Sequence, residues 1–351
     1  MESPSSRGSQ INPGSRFVAR HVAPPEDFLP EDWEAASGEA TTLIPEHPRH
    51  ILNEVVSSDL PDAYSVNPYQ GCEHGCVYCY ARPTHEYYGY SAGKDFETHI
   101  HYKPSAPELL ESVLNKPSYR LKPLMLSGNT DCYQPSERKL EITRRILEIC
   151  LRYRHPLGII TKNRLILRDL DLLHELAGHG LVHVNISLTT FREGLRRQLE
   201  PRTVSGAKRL DTLHRLSLAG VPVRCLMGPV IPFLNSDEMP EIYRRAAEAG
   251  ALDVGYILVR LNGTVKTIFE DWLQRFYPDK AQRVLAHIAG SHGGSVEDYR
   301  PGIRMRGEGP FAESLAQLHK TLKNKYFQGR HMPDYNLQAF APRAGRVQTL
   351  F

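Results

Sequence analysis

The chain has 351 residues, of which 40% are hydrophobic and 24% are charged. Its 43 Lys and Arg residues nearly balance its 40 Asp and Glu residues, and a net charge of +3 does not by itself indicate a nucleic-acid-binding protein. No apolar stretch is as long as a membrane span, and the N-terminus lacks the apolar core of a signal peptide. We therefore expect a soluble, cytoplasmic protein with no membrane partner.

The first part of the chain differs in composition from the rest. Residues 1–60 are rich in Ser, Gly and Pro and show weak periodicity, which predicts an extended or partly disordered arm. Two apolar groups, at 16–18 and 28–29, are suited to dock this arm on the core. From residue 61 to residue 262, short apolar runs alternate with helical patterns. The runs predict strands at 63–66, 123–127, 157–161, 181–188, 221–226 and 254–259.

Helices are predicted between these strands, at 108–114, 136–153, 167–176, 208–218 and 236–248. Each strand–helix unit takes about 33 residues, which is the repeat length of a βα barrel. Continuous apolar strands separated by helices indicate a parallel sheet buried on both faces. The predicted fold is α/β, a partial (β/α)6 barrel with a helical C-terminal extension. Residues 263–340 form that extension, with helices at 265–276, 280–289 and 311–325, and residues 341–351 form a mobile tail.

Three cysteines, Cys72, Cys76 and Cys79, lie within eight residues. Thiolates this close in sequence cannot pair as disulfides without strain, but they can bind one metal or cluster. Zinc sites typically use two pairs of ligands, and the second cysteine pair is missing here. Three thiolates without a clear fourth suggest a four-iron cluster with one open iron, because such clusters are normally held by four. The alternative is a zinc knuckle closed by His74 or a more distant His.

The other cysteines, Cys132, Cys150 and Cys225, are scattered, which argues against a disulfide framework.

Polar residues follow several of the predicted strands. Functional groups gather at the carboxyl ends of the strands in parallel α/β folds. Asp131 is suited to hold an ammonium group, Lys162 a carboxylate, and Ser187 a ribose, while the backbone of 228–232 is suited to meet an adenine ring. Each feature alone is also typical of helix caps and turns, so their joint placement carries the argument.

The x3 and x2 gaps of the cysteine motif resemble the signature of the radical S-adenosylmethionine (radical-SAM) enzymes. Over roughly residues 50–351 the chain is similar to the branch of that family related to spore photoproduct lyase, and in particular to its uncharacterised bacterial members. The segments that carry this likeness are 67–76, 81–85, 95–97, 130–135, 161–162, 168–171, 200–202 and 228–232.

The resemblance implies that Cys72, Cys76 and Cys79 hold a [4Fe–4S] cluster whose open iron binds S-adenosyl-L-methionine (AdoMet). It further implies that an electron, from a donor of the flavodoxin or ferredoxin type, cleaves AdoMet to a 5′-deoxyadenosyl radical that abstracts hydrogen. The AdoMet contacts implied are Tyr78 at the adenine, Thr130 and Asp131 at the amino group, Lys162 at the carboxylate and Ser187 at the ribose.

One departure from the lyase pattern bears on the reaction. The lyase has a cysteine just before its Thr-Ser-Asp loop and uses it as a hydrogen-atom donor, whereas this chain has Gly128 and Asn129 there. Cys132 and Tyr133 are the candidate hydrogen donors in its place. A packed loop aromatic with a satisfied hydroxyl is the alternative for Tyr133.

Two further features bear on the substrate. The stretch with Arg300, Arg304 and Arg306 is suited to bind phosphate, although a solvated loop would have the same composition. The terminus resembles the Gln-x-Leu-Phe tails that dock bacterial repair and replication proteins on the sliding clamp, here through Gln348–Phe351. These features favour radical chemistry on nucleic acid, such as DNA repair. The alternatives are radical modification of a peptide, protein or small metabolite, and a non-catalytic zinc or redox-sensing protein.

Overall fold

The computed structural model of the protein describes residues 7–14 and 40–342. Within these residues the chain forms two sheets, one of seven strands and one of three. The strands are β1 (Thr42–Pro45), β2 (Leu52–Glu54), β3 (Tyr64–Val66), β4 (Tyr69–Gln70), β5 (His99–Tyr102), β6 (Leu124–Leu126), β7 (Leu157–Thr161), β8 (Val182–Ser187), β9 (Val223–Val230) and β10 (Asp253–Leu258).

The larger sheet has the strand order β10-β9-β8-β7-β6-β3-β2. Strands β3, β6, β7, β8, β9 and β10 are parallel, and each pairs with the next one along the chain. Strand β2 is added antiparallel to β3 at the edge. These six parallel strands are the six that the sequence predicts, and the α/β class of the fold is confirmed.

Helices connect the parallel strands and cover the sheet. They are α1 (Asp95–Thr98), α2 (Ala106–Leu114), α3 (Glu137–Leu140), α4 (Ile142–Arg152), α5 (Leu170–Gly178), α6 (Glu193–Leu199), α7 (Gly206–Leu218), α8 (Met239–Glu248), α9 (Thr264–Phe276), α10 (Pro278–Gly290) and α11 (Gly309–Tyr326). Helix α4 is an example of a helix with one apolar face, because it buries Ile142, Ile146 and Ile149 at helical spacing. These side chains belong to the main apolar core, together with those of the sheet.

The single helix predicted over 136–153 is two helices, α3 and α4. Between them Glu141 has a left-handed backbone with a φ of 50°, which ends one helix and starts the next. The buried Glu137 carboxylate accepts a hydrogen bond from the Thr143 amide at 3.1 Å, at the start of α4. It also pairs with Arg168 at 2.7 Å. A buried carboxylate therefore satisfies an amide that a continuous helix would have bonded internally.

The smaller sheet has the order β1-β5-β4 and lies within residues 42–102. Part of the predicted N-terminal arm is thus strand, since β1 pairs in parallel with β5 and β2 joins the larger sheet. The segments 16–18 and 28–29, which we expect to dock, lie outside the described residues.

Helices α9 and α10 build a second apolar core with residues of the segment that carries the three cysteines, 71–79. This core includes Trp272 and Phe269 of α9, Val77, and Leu199 at the end of α6. Helix α11 instead joins the main core through Leu315 and Leu322. The division of the chain at residues 60, 262 and 340 stays a prediction. Across the described residues, no helix has the length and apolar character needed to cross a membrane.

Candidate active site

A cavity opens where the parallel strands end. Residues that follow β3, β6, β7 and β10, and residues in the carboxyl-terminal parts of β8 and β9, contribute to its wall, as expected for the carboxyl edge of a parallel sheet. Of the site residues that the sequence predicts, eight line it: Cys72, Cys76, Tyr78, Cys79, Thr130, Asp131, Lys162 and Ser187.

The cysteine loop, which we define as residues 71–79, depends on two glycines with left-handed backbones. Gly71 has a φ of 83° and Gly75 a φ of 68°. A Cβ on Gly75 would lie 2.7 Å from the Glu97 carboxylate, and one on Gly71 would lie 2.8 Å from the carbonyl oxygen of His99. The loop therefore winds closely against its surroundings, which fixes the direction of the thiols. All three thiols are free, and that of Cys79 is the most exposed.

Burial raises the pKa of the Cys72 thiol, and the neighbouring Asp131, Cys76 and Cys79 add to this effect. Burial also raises the pKa of Cys76, to about 12, although the Lys162 ammonium opposes this. If all three thiols were ionised, their negative charges would repel one another. A cationic group bound between the thiols would remove that repulsion.

Arg82 holds the cysteine loop from behind. Its side chain is fully buried and donates to the carbonyl oxygens of Cys76 at 2.8 Å, Ala92 at 3.0 Å and Gly93 at 2.9 Å. Its guanidinium also pairs with the buried Glu97 carboxylate at 2.6 Å. The charge of Arg82 is thereby neutralised while its remaining donors fix the backbone of the loop.

Glu97 also receives the N-terminal strap, which we define as residues 7–14. Its carboxylate accepts hydrogen bonds from the amides of Gly8 at 2.8 Å and Ser9 at 2.7 Å. Gly8 lies so close to the cysteine loop that a Cβ on it would come within 1.5 Å of the Gly75 oxygen. The strap therefore packs directly on the cysteine loop.

Asp131 is a buried hydrogen-bonding centre of the site. Its carboxylate accepts from the Thr161 hydroxyl at 2.8 Å, the Tyr133 amide at 2.9 Å and the Lys162 amide at 2.9 Å. His74 Nδ1 lies 3.3 Å from it. Burial would raise the pKa of Asp131, but His74 and these donors hold it at about 2. The carboxylate is charged at neutral pH, and protein donors already occupy both of its oxygens.

The Tyr78 hydroxyl is hydrogen-bonded to a buried ion pair. Its hydroxyl donates to Glu200, which also accepts from Thr189 at 2.8 Å and pairs with Arg209. The Lys162 ammonium lies 5.9 Å from the centre of the Tyr78 ring. Lys162 thus presents a positive charge to the cavity beside Cys76.

Thr130 and Ser187 use their hydroxyls within the protein. Thr130 donates to the Tyr69 carbonyl oxygen at 2.7 Å. Ser187 lies 3.4 Å from the Gly228 carbonyl oxygen, at the end of β8. Both hydroxyls retain acceptor capacity toward the cavity.

The two candidate hydrogen donors do not line the cavity. Cys132 and Tyr133 are fully buried in the main core. The Cys132 amide donates to the Ser127 hydroxyl oxygen at 2.7 Å, and the Tyr133 hydroxyl donates to Asp169 at 3.1 Å. Their role in hydrogen transfer stays a prediction, and these contacts are those expected of packed loop residues.

Two cavity residues escape the sequence-based prediction. Tyr80 follows the cysteine motif directly, and its hydroxyl donates to the Gly128 carbonyl oxygen at 2.5 Å. Arg260 follows β10, the last parallel strand. Its position after a strand is the signal that finds Asp131 and Lys162, and the same rule applied to the sixth strand would have found it.

The basic stretch near the C-terminus is largely neutralised by neighbouring carboxylates. Arg300 pairs with Asp298 at 2.8 Å and with Glu308 at 2.7 Å. Arg304 pairs with Asp59 at 2.5 Å. The Arg306 guanidinium lies over the Tyr256 ring at 4.4 Å. These contacts do not support the phosphate-binding role expected for these arginines.

Comparison with known proteins decides the family. The family model described as "Radical SAM superfamily" matches residues 66–246, which include the three cysteines and the parallel strands β6, β7, β8 and β9. The chain belongs to the radical SAM superfamily. This superfamily uses a [4Fe–4S] cluster and AdoMet, so the cofactors predicted from the cysteine motif are those of the family.

Sequence relatives are found in bacteria and archaea. An uncharacterized protein of Mycobacterium tuberculosis is 34% identical over 238 residues, which are 67% of this chain and 70% of the relative. An uncharacterized protein of Methanocaldococcus jannaschii is 29% identical over 216 residues, which are 62% of this chain and 77% of the relative. The predicted membership of an uncharacterised branch is thus confirmed.

Solved structures of spore photoproduct lyase share the fold. The lyase complexed with dinucleoside spore photoproduct has a TM-score of 0.62 and 16% identity, with 88% of this chain and 86% of the lyase covered. A lyase double mutant with bound AdoMet and dinucleoside spore photoproduct has a TM-score of 0.63, also at 16% identity, with 90% and 87% covered. This likeness is one of fold.

The chemistry of the three thiols fits the cluster of the family, because iron–sulfur clusters are held by soft thiolate ligands. The described part of the chain contains no group of three or more His, Cys, Asp or Glu side chains that could hold one metal ion. A four-iron cluster places one thiolate on each of three irons, so its ligands surround a larger volume. Three free thiols line one cavity beside the ammonium of Lys162, which is the number of thiolates that such a cluster with one open iron needs.

Proposed function

We propose that this protein is a radical-SAM enzyme that binds a [4Fe–4S] cluster through Cys72, Cys76 and Cys79 and acts on nucleic acid in a repair-like reaction. The observation that carries the proposal is the placement of all three thiols in one cavity with Asp131, Lys162 and Ser187. When bound, the cluster and AdoMet supply reductive cleavage to the 5′-deoxyadenosyl radical.

The residues around the cavity would orient AdoMet. Lys162 offers a fixed positive charge for its carboxylate, since this ammonium has a raised pKa despite its burial. Burial would lower the pKa, but Cys76 and Glu200 oppose it. Ser187 and Tyr78 line the same cavity, where they would contact the ribose and the adenine. Asp131 would attract the ammonium group through its charge and would hold His74 and Lys162 in place.

Nucleic acid is the preferred substrate class for two reasons. The fold is shared over 88% of the chain with a lyase whose solved complex holds a dinucleoside photoproduct. The C-terminal residues Gln348–Phe351 resemble a sliding-clamp motif, although they lie outside the described residues. Gly128 and Asn129 precede Thr130 in the sequence, where the lyase has its cysteine, and Asn129 lines the cavity. The hydrogen donor would therefore be a residue other than a cysteine at this point.

The test is anaerobic reconstitution with iron and sulfide, followed by reduction with dithionite in the presence of AdoMet. We expect about four irons per chain, an iron–sulfur absorbance, and formation of 5′-deoxyadenosine. Ultraviolet-irradiated DNA should increase the yield of the nucleoside if DNA is the substrate. Bound zinc without iron would refute the enzyme proposal, and nucleoside formation that is indifferent to DNA would refute the substrate class.

Single replacements of the three motif cysteines by Ala should each lower the iron content and abolish nucleoside formation, because each thiolate holds a different iron. Cys150→Ala is the matched control, since Cys150 lies in the main core away from the cavity. Iron content in the motif variants equal to that of the control would contradict the ligand assignment.

A further inference from the structure

A cationic side chain lies on the cavity wall that the last parallel strand supplies. Arg260 comes two residues after β10, whereas the cysteine loop follows β3, the first parallel strand. Both line the same cavity. The cavity is therefore lined by thiols and by a guanidinium. The thiols follow β3, near one edge of the sheet, and the guanidinium follows β10, at the opposite edge.

Arg260 differs from Arg300 and Arg304 in having no ion pair with a carboxylate among the described residues. Its Nη1 donates to the Arg304 carbonyl oxygen at 3.3 Å. Among residues 7–14 and 40–342, no ion pair includes Arg260, whereas Arg300 and Arg304 each have one or more. Burial lowers the pKa of Arg260, and so does the Arg304 guanidinium, but an arginine remains charged in proteins.

The surroundings of Arg260 are held in place by ion pairs of other residues. Arg304 donates to Asp59 Oδ2 at 2.5 Å and to Ser57 at 2.9 Å, and Asp59 also accepts from the Gly302 amide. These contacts tie the segment before β3 to the loop that supports Arg260. Arg260 lines the cavity without a direct ion pair among the described residues, and the carboxylates of Asp59 and Asp298 act on it only through space.

An aromatic ring on the same wall complements this charge. The Tyr80 side chain is 57% exposed, and its hydroxyl is fixed on Gly128. Ile257, Val259 and Pro229 supply apolar surface beside it. A guanidinium and an exposed ring that line one cavity form a combination that binds unpaired nucleotides, with the phosphate on the cation and the base on the ring.

We propose that Arg260 is the phosphate-binding residue of a substrate subsite in this cavity and that Tyr80 provides the stacking surface for the adjoining unpaired base. This inference rests on the proposed function, because it names how that site would take nucleic acid. The planar fork of Arg suits two oxygens of a phosphodiester. The AdoMet carboxylate is the other anion that could reach this wall. Arg260 would then compete with Lys162 for that carboxylate.

The experiment measures binding of a fluorescein-labelled single-stranded oligonucleotide by anisotropy, and binding of AdoMet by calorimetry, to the cluster-loaded protein. Arg260→Gln should weaken oligonucleotide binding about tenfold and reduce the slope of log K against log salt by about one. Arg260→Lys should recover part of the affinity, because it keeps the charge without the fork. The AdoMet dissociation constant should change less than twofold.

Arg275→Gln is the matched control, because Arg275 lies on α9 and pairs with Asp271 at 2.9 Å, away from the cavity. Unchanged oligonucleotide affinity in Arg260→Gln would overturn the inference. So would a selective loss of AdoMet affinity, which would assign Arg260 to the AdoMet carboxylate. If the wild-type protein bound oligonucleotide through Arg260 but formed no 5′-deoxyadenosine, the proposed reaction would fail and the subsite would stand.

Discussion

The buried ion pair of Glu200 and Arg209 contributes to the stability of the site. Both side chains are almost fully buried, and Glu200 also accepts from Tyr78 and Thr189. Although burial would raise the pKa of Glu200, Arg209 and Lys162 hold it at about 2. The carboxylate is thus charged at neutral pH within a protein interior, where an unmatched guanidinium is very costly.

Replacing Glu200 by Gln should destabilise the fold by about 3–5 kcal/mol, because Arg209 would remain buried without its counter-charge. Glu193→Gln is the control. Glu193 pairs with Arg196 and Arg197 but is 42% exposed, so its loss should cost less than about 1 kcal/mol. Urea unfolding followed by circular dichroism measures both.

The same pair predicts the direction of a pH effect. The folded-state pKa of Glu200 is lower than its ordinary value of 4.5. The contribution of the pair to stability is therefore complete above about pH 4.5 and is lost as the pH falls toward 2. Glu200→Gln should show a smaller decrease in unfolding free energy across that range. An equal decrease in wild type and variant, or no greater destabilisation than Glu193→Gln, would contradict the assignment.

The sequence predicted the site residues that follow a strand directly and missed those defined by tertiary contacts. Asp131, Lys162 and Ser187 come at strand ends, where the parallel sheet forces side chains to converge. Glu97 and Arg82 are polar residues without a local pattern. Their role arises from a buried pairing that only the three-dimensional structure brings together.

The N-terminal strap is an element whose contacts predict an effect on the cluster. Gly8→Val should displace the strap, because even a Cβ at this position would overlap the Gly75 oxygen. Loss of that contact and of the two amides on Glu97 should loosen the cysteine loop. We expect iron to be lost in air several times faster than from wild type. Absorbance of the reconstituted protein and released iron measure the rate.

Gly14→Ala is the control within the same strap, since a Cβ on Gly14 would meet nothing within 4 Å. It should leave the rate of iron loss unchanged. Equal rates for Gly8→Val and Gly14→Ala would show that the strap does not support the loop.

Elements with regular periodicity were predictable, and elements made by distant contacts were not. The six parallel strands follow from apolar runs at a regular interval. The break at Glu141 was not predictable, because it depends on the buried Glu137 carboxylate and its partner Arg168. Strand β1 pairs with β5, more than fifty residues later, so no local pattern announces it.

At the scale of the whole molecule, the C-terminal tail predicts a partner. Removing residues 347–351 should abolish binding to a bacterial sliding clamp, because Leu350 and Phe351 would supply the apolar anchor. AdoMet cleavage should be unchanged, since every predicted cluster and AdoMet contact lies before residue 233. Surface plasmon resonance on immobilised clamp measures the first property, with Val347→Ala as the control variant. A full-length chain that does not bind the clamp would contradict the prediction.

The contact between the strap and Glu97 sets an order of events during translation. Gly8 and its carboxylate acceptor are 89 residues apart in the chain. The ribosome adds residues at roughly 5–20 per second, so the strap waits several seconds for Glu97 to be made. Cys79 is synthesised before Glu97, and all three thiols therefore exist while the strap is still undocked. The strap can therefore cover the cysteine loop only after the segment that carries Glu97 has been made and has folded.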